Sequence, residues 1–223
     1  MKKKEKTVPV NEIDETIAAS AGFVEKHLKP ICYGVGGVIA IIIIALLLNQ
    51  YYFAPRSAEA ADNIAMAEQM FMNGDYEKAL NGDGTNDGFL QIIDKYGSTS
   101  TGNLARLYAG LCYVQTDSAE AAVKYLEDFD LCDDEMISNA ALGALGNCYA
   151  KLGQNEKAAN TLLKAAKRAD NNTLSPLYYM QAGQIYESLG NTDKAMKCYE
   201  TLKNDYPQSM QSQDVDKYIE RLK

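Results

Sequence analysis

Apolar and polar positions change rhythm three times along the chain. Residues 11 to 29 space Ile13, Ile17, Ala21, Val24 and Leu28 three or four apart, with Glu12, Glu15, Glu25 and Lys26 on the opposite face. That spacing predicts a short amphipathic helix whose stripe meets membrane or a neighbour. From Ile31 to Phe53, 23 residues pass without Asp, Glu, Lys or Arg. At ~1.5 Å per residue such a helix reaches about 34 Å, enough for a hydrocarbon core of ~30 Å. Beyond residue 57 the pattern becomes amphipathic segments separated by polar, Gly-containing turns, the rhythm of paired helices.

The flanks of the apolar run set its expected orientation. Lys29-Pro30 closes one side, and Asn49, Gln50, Tyr51, Tyr52, Phe53 and Pro55 form a polar and aromatic belt on the other. Lys2, Lys3, Lys4, Lys6, Lys26 and Lys29 precede the run, whereas only Arg56 follows it closely, so the amino terminus is expected in the cytoplasm. Ala58-x-Ala60 has the small residues of a signal-peptide cleavage site, but this apolar run is too long and starts too late for a signal peptide. The expected organisation is a cytoplasmic segment over 1–30, a transmembrane helix over 31–53 and an extracytoplasmic domain over 54–223. Gly34, Gly36, Gly37 and Ala40 put small residues on the first half of the span, where another helix could approach closely. His27 is read as an interfacial side chain, because no second ligand lies near it.

Self-comparison of residues 57 to 223 reveals a repeat. Gly110-Leu111-Cys112-Tyr113 is followed nine residues after the Tyr by Ala122, Gly146-Asn147-Cys148-Tyr149 by Ala158, and Gly183-Gln184-Ile185-Tyr186 by Ala195. The glycines stand 36 and 37 residues apart, and a bulky residue follows each Ala by four: Leu126, Leu162 and Tyr199. Gly153 and Gly190 fall just past predicted helix ends, where a left-handed residue closes a turn. An earlier unit starts near Ala58, but after Tyr76-Glu77-Lys78-Ala79-Leu80 its second helix is interrupted by Asn81-Gly82-Asp83-Gly84-Thr85-Asn86-Asp87-Gly88. Val215, Tyr218, Ile219 and Leu222 form a last amphipathic helix suited to capping an array.

These residues resemble the tetratricopeptide repeat, with its Leu-Gly-x-x-Tyr, Ala-x-x-x-Phe and closing Pro, here Pro207. The resemblance implies an all-α chain: one transmembrane helix, then a solenoid of helical hairpins with a capping helix, comprising three full repeats and a modified first. In such arrays the first helix of each hairpin builds the inner wall that receives a partner segment. The corresponding positions are Leu107, Leu111, Val114, Ala140, Gly143, Asn147, Met180, Gln184 and Glu187; Asn147 with Lys151 makes only a poor clamp for a terminal carboxylate.

Composition narrows the chemistry. Net charge is −8, which argues against nucleic acid as a partner. The six Lys and five acidic residues of 1–53 leave 16 basic and 25 acidic residues beyond, a net −9 that favours basic partners. One His, no Trp, no Cys-x-x-Cys and no phosphate-cradling Gly-Lys-Ser/Thr loop leave catalysis without visible machinery, so no enzyme and no cofactor are expected. Asp83, Thr85, Asp87 and Asp94 fall near the ligand positions of a calcium loop, with Gly88 and Leu90 as turn and anchor. Thr replaces an acidic ligand and Asp94 is short for a bidentate one, so the preferred reading is an ordered or partner-contacting loop with Asp87 capping the next helix. Cys112, Cys132, Cys148 and Cys198 leave several pairings open, and buried small hydrophobes are the preferred role for the two repeated cysteines.

The whole layout, with Gly74-Asp75-Tyr76-Glu77-Lys78-Ala79-Leu80 in its first unit, resembles the tetratricopeptide ancillary subunit of the bacterial Sec translocon. That resemblance implies a single-pass protein of the bacterial inner membrane with its large domain in the periplasm. Its implied partners are translocon subunits, a membrane-anchored periplasmic prolyl-isomerase-like chaperone and secretory clients. The competing expectations are a scaffold for cell-wall or outer-membrane assembly and a calcium-dependent interaction module.

Overall fold

The computed structural model describes residues 33–134 and 136–223, so the amphipathic segment, His27, Ile31 and Cys32 lie outside the described residues. Every regular element among the described residues is helical. The chain divides into two units, Met1–Pro55 and Arg56–Lys223.

In the first unit, helix α1 (33–48) passes into a wide turn, Asn49–Phe53, whose closing Ala54 N–H donates to the carbonyl of Asn49. Pro55 explains that turn: it lacks an N–H and its ring would crowd the carbonyl four residues back, and a wider turn relieves both faults. Helix Tyr33–Met72 is the one described helix long and apolar enough to cross a membrane, with mean hydropathy 2.0 over its most apolar 18 residues, none of them buried.

From Arg56 the second unit comprises the rest of α2 (Ala54–Met72), then α3 (Tyr76–Asn81), α4 (Phe89–Tyr96), α5 (Ser100–Gln115), α6 (Ala119–Glu127), α7 (Ile137–Lys151), α8 (Asn155–Ala169), α9 (Ser175–Ser188), α10 (Thr192–Asp205) and α11 (Val215–Arg221). The hairpins α5/α6, α7/α8 and α9/α10 are the three full repeats. One turn recurs four times. The N–H groups of Asp75, Ser118, Gln154 and Asn191 return to the carbonyls of Met70, Tyr113, Tyr149 and Tyr186, five residues back. The residue before each donor is left-handed: Gly74, Asp117, Gly153 and Gly190. The repeat is therefore present four times, with Asp117 in the role Gly plays elsewhere.

The repeat glycines are packing sites. A Cβ on Gly110 would stand 2.6 Å from Leu126, on Gly146 2.7 Å from Leu162, and on Gly183 2.5 Å from Tyr199. The large residue of the second helix thus fills the space over the glycine of its own hairpin. The repeat tyrosines make the connection backward. Tyr149 donates to Glu127 of α6, and Tyr186 donates to Asn160 of α8 at 2.7 Å, so each anchors its hairpin on the preceding one.

In the first repeat the second helix is broken into α3 and α4, and both pieces pack with α2 and α5 around Ile64, Leu80, Phe89 and Ile92. The chain leaves and returns through a narrow neck, because a Cβ on Gly88 would lie 2.3 Å from the Gly82 nitrogen. At the other end α11 buries Val215 and Ile219, as a capping helix requires.

Candidate partner-binding surface

Of the positions expected to form the wall on the first helices of the full hairpins, only some are open. On α5, Leu111 and Val114 are half-buried; on α7, Ala140 and Asn147 are exposed; on α9, Met180 is half-buried and Gln184 exposed. Val114, Ala119, Asn147, Cys148 and Lys151 line a cleft of about 100 Å³ where the first full hairpin meets the second. Lys151 forms an ion pair with Asp117 at its edge. Both groups are exposed, so the pair orients more than it stabilises.

Three expected contact residues have other duties. Leu107 is buried in the core with Ala141 and Leu145, because it packs toward α7, the first helix of the next hairpin. Gly143 is covered by the ring of Tyr178 from α9. Glu187 accepts from the Tyr199 hydroxyl at 2.9 Å, and its carboxylate pairs with Arg221 of α11 at 2.7 Å. Arg221 and the Tyr199 hydroxyl hold that carboxylate below the ordinary glutamate range against the opposing effect of burial. Gln184 donates to the Tyr218 hydroxyl at 3.2 Å, so the capping helix occupies this end of the wall. Sequence periodicity gives an inward direction for these side chains, but not that a later helix covers them. Leu177 and Ile137, exposed near the starts of α9 and α7, were missed because they lie outside the repeat motif.

The interrupted segment is organised by its own side chains. The Asp83 carboxylate accepts from the amides of Thr85 at 2.9 Å and Asn86 at 2.7 Å, and from the Asn86 side chain at 3.0 Å. These bonds keep it below the usual aspartate value. Asp87 pairs with Lys95 at 2.6 Å, so it does not cap α4 as expected. That start is held by Gln91, which accepts from Gly88 N–H at 3.0 Å and donates to the Asn81 carbonyl at 2.8 Å. Among the described residues no group of three or more His, Cys, Asp or Glu is placed to hold a metal ion.

The described cysteines are free. Burial pushes the Cys112 thiol up to about 12 and Cys198 up to about 11, and raises Cys148, which makes all three poor nucleophiles. Cys132 is exposed in the link between α6 and α7. There Asp134 accepts from the Ser138 amide at 3.0 Å and from its hydroxyl, which holds the start of α7; this Ser–Asp pair is a helix anchor.

Comparison with known proteins agrees with this architecture. The tetratricopeptide-repeat family matches residues 141–174 and again 178–209, the second and third full hairpins. Among solved structures, the crystal structure of MamA is similar at 20% identity, covering 70% of this chain and 91% of that one, with a TM-score of 0.51. A Podosopora anserina putative kinesin light chain with nearly identical TPR-like repeats is similar at 13% identity, covering 74% and 85%, with a TM-score of 0.55. No curated protein matches the chain. Family matches, structural neighbours and the fourfold turn together make the second unit an all-helical array of tetratricopeptide-like repeats, a scaffold for protein–protein interaction.

Proposed function

We propose that this protein is a non-catalytic, membrane-anchored scaffold of the bacterial inner membrane, with its repeat array in the periplasm. It binds Sec translocon subunits and a membrane-anchored periplasmic prolyl-isomerase-like chaperone and assists passage or folding of secretory proteins. The observation that carries the reading is the presence in one chain of an apolar helix with no buried residue in its span and a repeat array with an open wall at Leu111, Val114, Ala140 and Asn147. The lysines ahead of the span support a cytoplasmic amino terminus. The choice of partners rests on the resemblance in layout.

Photo-crosslinking in intact membranes from probes at Gly36 and Asn147, with captured proteins identified by mass spectrometry, tests it. The expected products are translocon subunits at Gly36 and the chaperone or nascent secretory chains at Asn147. Reproducible capture of only cell-wall or outer-membrane assembly proteins would replace the translocon with that machinery.

A further inference from the structure

The second helices α8 and α10, with Tyr179 of α9, line a groove of about 400 Å³. Leu163, Tyr179 and Cys198 contribute apolar surface to it, and Lys167, Lys194 and Lys197 edge it. The buried Cys198 thiol behaves there as a small hydrophobe.

The charge around the groove runs against the rest of the molecule. The chain carries net −8, yet α8 holds Lys157, Lys164, Lys167 and Arg168 against the single acid Glu156, and α10 balances Lys194, Lys197 and Lys203 with Asp193, Glu200 and Asp205. Lys78, Lys95, Lys151, Lys203, Lys217 and Lys223 each have a carboxylate partner. Lys164, Lys167, Lys194 and Lys197 have none among the described residues; Lys194 instead lies 5.0 Å from the centre of the Tyr186 ring. Unpaired ammonium groups beside an apolar floor form a surface whose complement is anionic and partly apolar.

We propose that the α8/α10 groove is a docking site for an acidic segment of a partner protein. An apolar side chain of that segment rests on Leu163 and Tyr179, and its carboxylates meet Lys167, Lys194 and Lys197. A peptide fits this pattern better than an anionic lipid surface does. Glu200 and Asp205 also line the groove, and a flat negative surface would have to meet them together with the lysines, whereas a single strand can pass between them. The groove shares no lining residue with the open wall at Leu111, Val114, Ala140 and Asn147, so one array has a place for each of two partners.

The test is selection of a displayed library of random twelve-residue peptides against the full-length protein in neutral-lipid nanodiscs, followed by fluorescence anisotropy on the enriched sequences. Enrichment of Asp and Glu around an apolar residue is expected. Affinity should fall about tenfold for Lys167→Glu/Lys197→Glu, stay near wild type for Lys167→Arg/Lys197→Arg, and weaken with added salt. Circular dichroism melts establish that the Glu pair remains folded. Enriched peptides without acidic bias, or acidic peptides that bind the Glu pair as well as wild type, overturn the proposal. Selection of no peptide, with soluble short-chain phosphatidylserine bound through the same lysines, overturns it in favour of lipid.

Discussion

The Tyr178 ring occupies the space a side chain at Gly143 would need: a Cβ there would lie 2.3 Å from the ring. Because Tyr178 is itself buried in the last core, the ring has little room to withdraw. Gly143→Ala should destabilise the array by about 1–3 kcal/mol, the usual range for overpacking a closed interior. Thermal denaturation of the full-length chain, followed by helical circular dichroism, measures it. Combining Gly143→Ala with Tyr178→Ala should cost clearly less than the sum of the two single changes, since the truncated ring no longer meets the new methyl. Additive losses would mean that the two positions do not share this space.

Glu187, Tyr199 and Arg221 join α9, α10 and α11 at one carboxylate. Its folded value is lowered by Arg221, so the stabilisation is complete above the ordinary glutamate value and disappears as pH falls through the lowered one. The gap in thermal midpoint between wild type and Glu187→Gln should therefore shrink as pH falls from about 6 to about 3. A gap that stays constant over that interval would show that the carboxylate's charge is not what joins the cap.

Thiol reactivity separates the four described cysteines. In a Cys32→Ser background, maleimide at neutral pH should label Cys132 quickly, while Cys112, Cys148 and Cys198 wait for denaturant, because burial shields them and raises their thiols. Peptide mass mapping reads the result. Rapid labelling of any of the three in the native protein would contradict the packing described for their helices.

The loop between α3 and α4 offers a test by amide exchange. Asp83→Ala should accelerate exchange at Thr85 and Asn86, whose amides lose their acceptor. Adding about 1 mM calcium to wild type should leave those amides unchanged; protection that rises with calcium would favour the metal-binding reading.

The helical pairs, their turns and the cap were legible because each leaves a local trace: Gly at a left-handed position, apolar residues three and four apart, a motif returning after 36 or 37 residues. Asp117 broke that local code by taking the left-handed conformation without being Gly, and only the repeated carbonyl bond exposes it. The open wall was half legible. Asn147 and Ala140 are exposed as expected, but Leu107, Gly143 and Glu187 were assigned by their place in the repeat, and that place does not state which neighbour comes next. Glu187 is taken by a residue 34 positions later, Arg221, a relation no local pattern contains. The lysine groove escaped the sequence reading for a related reason: net charge averages over the chain, whereas ion pairing is decided one neighbour at a time.

Leu107, Gly143 and Met180 stand at the same place in successive repeats. At the first joint the bulk comes from the earlier helix, where Leu107 shares a core with Ala141; at the second it comes from the later one, where Tyr178 covers Gly143. Ala141 and Tyr178 are likewise equivalent positions, so large and small have exchanged sides. These hairpins are consequently not interchangeable modules. Transposing the second and third would set Leu107 against Tyr178, two large side chains at one joint, and Met180 against Ala141 at the next, so the order of the units is itself part of what the sequence encodes.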